Sequence, residues 1–310
     1  MSSRTKSLYH KAALQAGLQA VGPEEMRELK GVLLGMMDEF LAVCQRHRLT
    51  VMMRSGTLLG AARHKGFIPW DDDLDFMMPR KDYDRFLEVF DREMGQAYVV
   101  QTPRTEPNAC FGFMKIRKKG TAFVEVETAG LPIHKGLFLD VFPLENAPAS
   151  RTGRFFHGLA CILLKQITTA TALYRYPSAP MKVLRKHSGK LNRLLAMREG
   201  LGFLFSFFSV GWWNRATENL CARYRHRPSQ FLVAPYGGKG YFGEVYPREV
   251  FFPTVLLPFE GRQLPAPGQW EQWLLTKYGN FMQVPADGSR EIHWVAEWSL
   301  ASAVQQQERK

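Results

Sequence analysis

Cysteine is scarce in this chain, and the few cysteines are isolated from one another. The four of them, Cys44, Cys110, Cys161 and Cys221, form no CxxC pair and no cluster with histidine. Structural zinc sites and disulfide frameworks both require paired or clustered cysteines, so this spacing predicts neither. We expect reduced thiols, which are typical of a cytoplasmic protein.

The chain also lacks long apolar runs. Residues 1–20 contain no continuous apolar stretch of the kind found in a signal peptide. The longest apolar run, 200–213, is shorter than the roughly 20 residues that a helix needs to span a bilayer. The sequence therefore predicts a cytoplasmic protein that does not cross a membrane, and it leaves open a peripheral contact with the inner face of the cell membrane.

Several familiar catalytic signatures are missing. No GxxxxGK[ST], HExxH or GxSxG motif occurs, which argues against P-loop enzymes, zincins and α/β-hydrolases. The chain has one GxGxxG match, at 238–243, but Pro235 precedes it and Pro247 follows before a helix can form. A dinucleotide-binding fold needs a buried strand before this motif and a helix after it, so the match does not predict one.

Acidic residues are nearly absent from the middle of the chain. Between Arg151 and Gln230 lie 14 of the 41 Lys and Arg residues but only two acids, Glu199 and Glu218, so this basic segment carries the whole formal charge of +12. Such asymmetry indicates an anionic partner, which can be a lipid surface, a phosphorylated glycan or nucleic acid. Nucleic acid is the least expected of these, because no RNP, KH or zinc-finger signature accompanies the charge.

The apolar run 200–213 lies inside this basic segment and ends in Trp212-Trp213. Aromatic side chains beside Lys and Arg are what interfacial membrane helices use to insert at the level of the headgroups. A helix in the protein core has the same composition and is the commoner case. The sequence leaves both interpretations open.

Against this basic background, four carboxylates are crowded into five positions, Asp71, Asp72, Asp73 and Asp75. Like charges this close repel one another unless a cation lies among them, and hard divalent cations such as Mg²⁺ take oxygen ligands. In an extended chain Asp71, Asp73 and Asp75 share a face and Asp72 points the other way. A site for one or two metal ions is the favoured interpretation; a solvated acidic loop or a structural Ca²⁺ site is the alternative.

A further acid, Asp140, lies inside the apolar stretch 136–142, which reads as a strand. It can serve as a third metal ligand or as the base that takes a proton from an attacking hydroxyl. The alternative is a buried aspartate that caps a local backbone amide.

Two basic groups flank these acids in the sequence and are candidates for binding phosphate oxygens. Surface salt bridges are the alternative role for each member. The candidates are Arg63, His64, Lys65, Lys115 and Arg117.

Hydrophobic periodicity predicts a mixture of helices and strands. We expect the basic segment to consist of helices broken at 177–180 and at Gly200 and Gly202, and we expect strands 111–117 and 121–127 to form a hairpin. The other predicted helices are 23–46, 57–63, 81–94 and 270–278, and the other predicted strands are 49–53 and 136–142.

The segment 55–75, SGTLLGAARHKGFIPWDDDLD, followed by MPRKDY at 78–83, resembles the signature of the LicD family of phosphocholine transferases, relatives of fukutin and fukutin-related protein. Further similar segments are 115–117, 136–144, 259–261 and 278–282. The resemblance therefore spans most of the chain outside the basic segment.

This resemblance implies an α+β, nucleotidyltransferase-like fold, in which a small mixed sheet is flanked by helices and carries an α-helical basic insertion. The corresponding organisation is an N-terminal extension (1–22), a catalytic core (23–150), the basic segment facing acceptor or membrane (151–230) and a C-terminal part packed on the core (231–310).

The resemblance also implies roles for individual residues. Asp73 and Asp75 would hold Mg²⁺ or Mn²⁺, Asp71 would be a further ligand, and Asp140 would be the third catalytic carboxylate. The turn at Ser55, Gly56 and Thr57 would meet the nucleotide phosphates. Further candidates for binding substrate are Trp70 and His293.

The reaction implied by the family is transfer of a phospho-alcohol, usually phosphocholine, from a CDP-activated donor such as CDP-choline to a hydroxyl of a cell-surface glycan or glycolipid, with release of CMP. Lipopolysaccharide, capsule and teichoic acid are acceptors of this type. Two alternatives remain: nucleotidyl transfer to a small molecule or RNA with release of pyrophosphate, and non-catalytic binding of an anionic membrane or glycan through the basic segment.

Overall fold

The computed structural model describes Ala13, residues 21–285 and residues 294–300. The helices in these ranges are α1 (Pro23–Arg46), α2 (Ser55–His64), α3 (Arg80–Glu93), α4 (Arg151–Arg175), α5 (Ala179–His187), α6 (Gly189–Leu204), α7 (Val210–Cys221), α8 (Gly240–Gly243) and α9 (Trp270–Tyr278). The strands are β1 (Met52–Met53), β2 (Asp75–Pro79), β3 (Tyr98–Gln101), β4 (Met114–Lys118), β5 (Ala122–Glu125), β6 (Phe138–Asn146), β7 (Phe231–Val233), β8 (Val245–Pro247), β9 (Val255–Phe259), β10 (Arg262–Ala266) and β11 (Val295–Ser299).

The main sheet is mixed, with the strand order β1-β2-β6-β4-β3. In addition, β7 pairs with β6, and β8 pairs with β7. Strands β2 and β6 are parallel, whereas the other neighbours in this sheet are antiparallel. Strands β9 and β10 form a separate hairpin. The predicted α+β class, a mixed sheet flanked by helices, is confirmed.

Apolar periodicity explains how the helices cover this sheet. Helix α1 directs Phe40 into the core, where its ring lies 5.4 Å from that of Phe76 on β2 and 5.2 Å from that of Phe86 on α3. All three rings are fully buried. Burial of each such side chain contributes about 2 kcal/mol to stability. The predicted helix 23–46 has the observed bounds, and the predicted helix 81–94 differs from α3 by one residue at each end.

The basic segment folds into four helices, α4 to α7, and its break before α5 lies where the prolines predict it. Helix α4 is tied to the rest of the chain by hydrogen bonds from both ends of the His157 ring, to Tyr241 Oη (2.8 Å) and to the Leu220 carbonyl (2.8 Å). By length and composition alone α4 is apolar enough to cross a bilayer, and 39% of its most apolar window is buried.

The predicted hairpin between 111–117 and 121–127 is wrong. Strand β4 is an inner strand whose two edges are occupied by β3 and β6, so no edge remains for β5. Strand β5 leaves this sheet after Gly120 and pairs with β11 instead.

The predicted break at Gly200 and Gly202 is also wrong, because α6 continues through both glycines to Leu204. Gly202 lies against α4, where a Cβ would collide with the carbonyl oxygen of Ala170. The glycine therefore permits close helix packing and does not end the helix.

Candidate active site

Three carboxylates meet at the start of the parallel strands β2 and β6. Asp75 is the first residue of β2, and its register partner across the sheet is Asp140 on β6. Asp73 lies two residues before Asp75, and the three carboxylates offer oxygens that all lie within 4.8 Å of one another. Oxygen ligands at this separation suit a hard divalent cation.

A second group consists of Asp71, Asp72 and Asp73, whose carboxylate oxygens also lie within 4.8 Å of one another. The prediction that Asp72 points away from its neighbours is therefore wrong. The physical reason is that β2 begins only at Asp75, while a turn in which the Asp71 amide donates to the Ile68 carbonyl (3.0 Å) starts the acidic run. Asp73 belongs to both groups.

The start of α2 is fastened directly to this acidic cluster. The amide of Asp75 donates to Thr57 Oγ1 (2.7 Å), and the amide of Arg54 donates to the Asp75 carbonyl (3.0 Å). Gly56 lies so close to Asp71 that a Cβ would collide with the Asp71 carboxylate. A side chain at position 56 would therefore displace the Asp71 carboxylate from its present position.

The N-terminus of α2 adds positive potential beside these carboxylates. Its first turn, which begins at Ser55, contains no acidic residue, and the amides at a helix start carry a partial positive charge. A phosphate placed between this helix start and the acids would need a cation to bridge it to the carboxylates.

Lys115 holds the third carboxylate. Its ammonium lies 2.9 Å and 3.0 Å from the two oxygens of Asp140, 3.7 Å from Glu125, and 3.3 Å from the centre of the Phe138 ring. Both Lys115 and Asp140 are buried. Lys115 is therefore committed to Asp140 in this structure, and any role in holding donor phosphate stays a prediction.

Burial dominates the ionisation of Asp140. Desolvation raises the pKa of this carboxyl to about 7, and the charges of Asp75 and Glu125 act in the same direction. Lys115 opposes the increase without overcoming it. A carboxyl with a pKa near neutrality is suited to accept a proton from an attacking hydroxyl.

Arg117 lies two residues after Lys115 on β4, opposite Phe138 at the start of β6, and is fully buried. Its Nε donates to Gln101 Oε1 (2.9 Å) and its Nη1 donates to the Gly136 carbonyl (2.7 Å), while Glu125 lies 3.7 Å away. Arg117 is therefore engaged with protein groups in this structure, and a direct phosphate contact by Arg117 stays a prediction.

The other basic group lies at the end of α2. Arg63 donates to His64 Nε2 (2.9 Å) and to the Phe281 carbonyl (3.2 Å), and its guanidinium lies 5.9 Å from the Trp70 ring. His64 and Lys65 are exposed. Trp70 thus lies between the basic group and the acidic run, whereas His293 lies outside the described residues.

Sequence reasoning missed a buried charged cluster beneath the Ser55 turn. Lys277 on α9 donates to Ser55 Oγ (2.9 Å) and lies 3.3 Å from Glu244, and Glu244 lies 3.0 Å from Arg54. Gly237 lies against this pair, since a Cβ there would collide with Arg54 and Glu244. The one available signal was that Lys277 immediately precedes the family-like segment 278–282.

Burial lowers the pKa of Lys277 to about 8, with Arg54 acting in the same direction and Glu244 and Asp75 opposing. The ammonium is therefore held close to its titration range, directly under the turn that faces the acids. This arrangement fixes the Ser55 side chain through a charged group on a distant segment of the chain.

The site lies inside a range of the chain that resembles a known protein family. A family model described as the LicD/FKTN/FKRP nucleotidyltransferase domain matches residues 48–156, a range that includes both acidic groups. The chain is 28% identical over 281 residues to the lipopolysaccharide cholinephosphotransferase LicD of Haemophilus influenzae, covering 88% of this chain and 97% of that protein. Residues 48–156 of this chain thus match the LicD domain model, and the chain is similar over most of its length to a LicD protein.

A more distant relative matches part of the chain. An uncharacterized protein of Rickettsia prowazekii is 27% identical over 95 residues, which is 30% of this chain and 36% of that protein. The family model ends shortly after the start of α4, so most of the basic segment lies outside the LicD domain match.

Proposed function

We propose that this protein is a phosphotransferase of the LicD family that moves a phospho-alcohol, most simply phosphocholine, from a CDP-activated donor to a hydroxyl of a cell-surface glycolipid such as lipopolysaccharide. The observation that carries the proposal is the meeting of Asp73, Asp75 and Asp140 in a chain similar over most of its length to a lipopolysaccharide cholinephosphotransferase. We place the reaction on the cytoplasmic side of the membrane, where CDP-alcohols are expected to be available.

The residues fit a divalent cation, Mg²⁺ or Mn²⁺, because Asp73, Asp75 and Asp140 offer closely spaced oxygen donors and Asp71 belongs to a second such group with Asp73. Such an ion supplies screening of the charge on the donor pyrophosphate. The start of α2 at Ser55, Gly56 and Thr57 supplies amide donors for the same phosphates.

In the proposed reaction, an oxygen of the acceptor hydroxyl forms a bond to the phosphorus that carries the alcohol, and the bond from that phosphorus to the oxygen of CMP breaks. Asp140 takes the hydroxyl proton, and CMP leaves with the bonding electron pair. Lys277 holds Ser55 in place beneath the donor phosphates.

The deciding experiment measures CMP release from a panel of CDP-alcohols (choline, ethanolamine, ribitol and glycerol) with lipopolysaccharide as acceptor. Mg²⁺ and Mn²⁺ are compared, and Asp73→Asn serves as the matched inactive variant. We expect one CDP-alcohol to support release with wild type and a loss of at least about a thousandfold in the variant. Undiminished release by folded Asp73→Asn protein would overturn the proposal.

A second candidate is nucleotidyl transfer with release of pyrophosphate, which the nucleotidyltransferase description of the matched family model favours. The same acids would serve it, because both reactions require charge screening at a pyrophosphate. Assay of CTP beside the CDP-alcohols separates the two: pyrophosphate from CTP would support this candidate, and CMP from a CDP-alcohol would support the first.

A further inference from the structure

Six large apolar side chains are exposed together where α6 ends and α7 begins. They are between 39% and 68% exposed. We call them the aromatic patch: Tyr174, Phe203, Leu204, Phe207, Phe208 and Trp212. The core-helix interpretation of the run 200–213 is therefore wrong for most of its large side chains, although Trp213 is buried.

Ring contacts join these side chains into two groups, which are connected by the short turn 205–206. Tyr174 lies 5.7 Å from Phe203, Phe207 lies 4.9 Å from Phe208, and Phe208 stacks on Trp212 with ring centres 4.0 Å apart. Leu204 adjoins Phe203 in the sequence. Exposed apolar surface of this kind is uncommon on a protein that meets only water, so it indicates a binding surface.

The loop that displays the patch is held firmly in place. Trp213 donates its indole N–H to the Phe205 carbonyl (2.9 Å), Arg175 donates to the Ser206 carbonyl, and Ser206 Oγ donates to the Phe203 carbonyl (2.8 Å). Ser209 caps α7 by accepting the Trp212 amide (3.1 Å). The exposed rings are thus presented by an ordered turn.

The surrounding surface is positively charged. Residues 151–230 are all described, and their two acids are engaged: Glu199 pairs with Arg185 (2.6 Å) and Glu218 is buried beside Arg80 (3.5 Å). The exposed Lys and Arg residues of this segment are Arg151, Arg175, Lys182, Lys186, Lys190, Arg193, Arg215, Arg223 and Arg227. The outer surface of the segment therefore carries positive charge without compensating acid.

Two of these cations border the patch itself. Arg215 is one turn from Trp212 on α7, and both line a shallow groove with Ala216 and Asn219. Arg175 is attached to the patch through its bond to Ser206. Rings between arginines match the headgroup region of a bilayer, where aromatic rings insert and guanidinium groups meet phosphates.

We infer that this chain docks on an anionic bilayer by inserting the aromatic patch at the headgroup level, with Arg175 and Arg215 at the anionic lipids. Charge complementarity selects this occupant, since neither a neutral bilayer nor a purely apolar protein partner would account for the basic surface around the rings. Helix α4, which belongs to the same segment and carries Tyr174 of the patch, has a composition that would suit a bilayer. This inference rests on the proposed function only for the purpose of the docking, which would bring the enzyme to an acceptor that is attached to a lipid.

The test is flotation of the full chain with vesicles of phosphatidylcholine alone or mixed with phosphatidylglycerol, without donor or acceptor. We expect binding to the mixed vesicles, with a blue shift of tryptophan fluorescence that Trp212→Phe reduces. The double variant Phe207→Ser/Phe208→Ser should lose binding by about tenfold or more. Arg175→Gln and Arg215→Gln should each weaken it by about fivefold.

Leu256→Ser is the matched control, because Leu256 is 62% exposed on β9 outside the patch. This variant should bind as wild type does, and circular dichroism should show that all variants are folded. Equal flotation of wild type and Phe207→Ser/Phe208→Ser would overturn the inference. So would light scattering that shows a wild-type dimer which the double variant breaks, because the patch would then join two copies of the chain. Neither readout requires turnover, so failure of the proposed function would leave this test intact.

Discussion

Charged side chains are buried in pairs at the acidic end of the main sheet, whereas most of those in the basic segment are exposed to solvent. At the sheet, Asp140 is buried with Lys115, and Arg54 is buried with Glu244. In the basic segment most cations face water and the few acids are engaged with arginines. Buried ion pairs hold side chains in fixed positions, and catalysis requires accurately positioned groups. Exposed charges of one sign attract an oppositely charged surface over distances of about one Debye length.

The two regions also differ in how they treat aromatic rings. Phe40, Phe76 and Phe86 are buried against one another in the core, while Phe203, Phe207 and Phe208 are presented to solvent from an ordered turn. We therefore expect variants of the acidic residues and variants of the basic segment to lose different properties.

The largest effect is expected at the acids. Asp75→Asn removes one of the three converging carboxylates, and we expect it to lower CMP release by at least about a thousandfold because the cation site loses a charged ligand. Vesicle flotation should be unchanged, in contrast to Phe207→Ser/Phe208→Ser, which should lose flotation and retain release from a water-soluble acceptor. Loss of both properties in either variant would break the proposed division between the two regions.

The next effect concerns stability. Glu145 is buried on β6 and accepts from Arg80 Nε (2.9 Å), so Glu145→Ala leaves a buried guanidinium short of its main partner. We expect a loss of about 3–5 kcal/mol in the free energy of unfolding, measured by urea denaturation. Glu88→Ala is the matched control, since Glu88 pairs with Arg85 in the open, and it should cost less than about 1 kcal/mol. Equal costs would contradict the contrast between buried and exposed pairs.

A smaller effect is expected for Lys277. Lys277→Met removes the ammonium from Ser55, so the turn that we propose to bind the donor phosphates loses its support. We expect kcat to fall by about ten- to a hundredfold. Lys277→Arg should recover part of the loss, because the positive charge is kept. Lys239→Met is the matched control. Lys239 is exposed and donates to the carbonyl of Thr276 on α9, the helix that carries Lys277, and we expect its replacement to leave kcat unchanged.

The mildest effect is a dependence on pH. Because burial raises the pKa of Asp140 to about 7 from an ordinary 3.8, the folded protein binds a proton there that the unfolded chain releases between these values. In metal-free protein this contribution to stability is complete below about pH 4 and is lost as the pH rises through 7. The decline should be absent in Asp140→Asn, as judged by urea midpoints in chelator.

The same proton should compete with the cation. Below pH 7, metal affinity should fall by about tenfold per pH unit, because a ligand carboxylate must lose its proton to bind. Calorimetric titration with Mn²⁺ at several pH values measures this slope. A slope of zero would show that Asp140 is not among the ligands.

Local sequence patterns predicted several of the helices accurately. The period of apolar residues placed α1 and α9 with their observed bounds, because an amphipathic face and nearby Pro or Gly suffice to define a helix. The crowding of Asp71, Asp72, Asp73 and Asp75 marked the candidate site because like charges so close in sequence require a cation. Its place inside an apolar strand nominated Asp140, the LicD resemblance implied the same role, and the structure brings its carboxylate to Asp73 and Asp75.

What the sequence could not determine depends on contacts between distant segments. Lys277 reaches Ser55 across 222 positions, and β5 pairs with β11 rather than with β4, because the inner edges of the main sheet are already occupied. The exposure of Phe207 and Phe208 was equally undecided. Composition alone fits a core helix and a membrane surface, and only the packing of α4, α6 and α7 determines which rings face water. Residue type and spacing thus determined the elements and the acidic cluster, while tertiary packing decided which charges are buried and which apolar side chains are exposed.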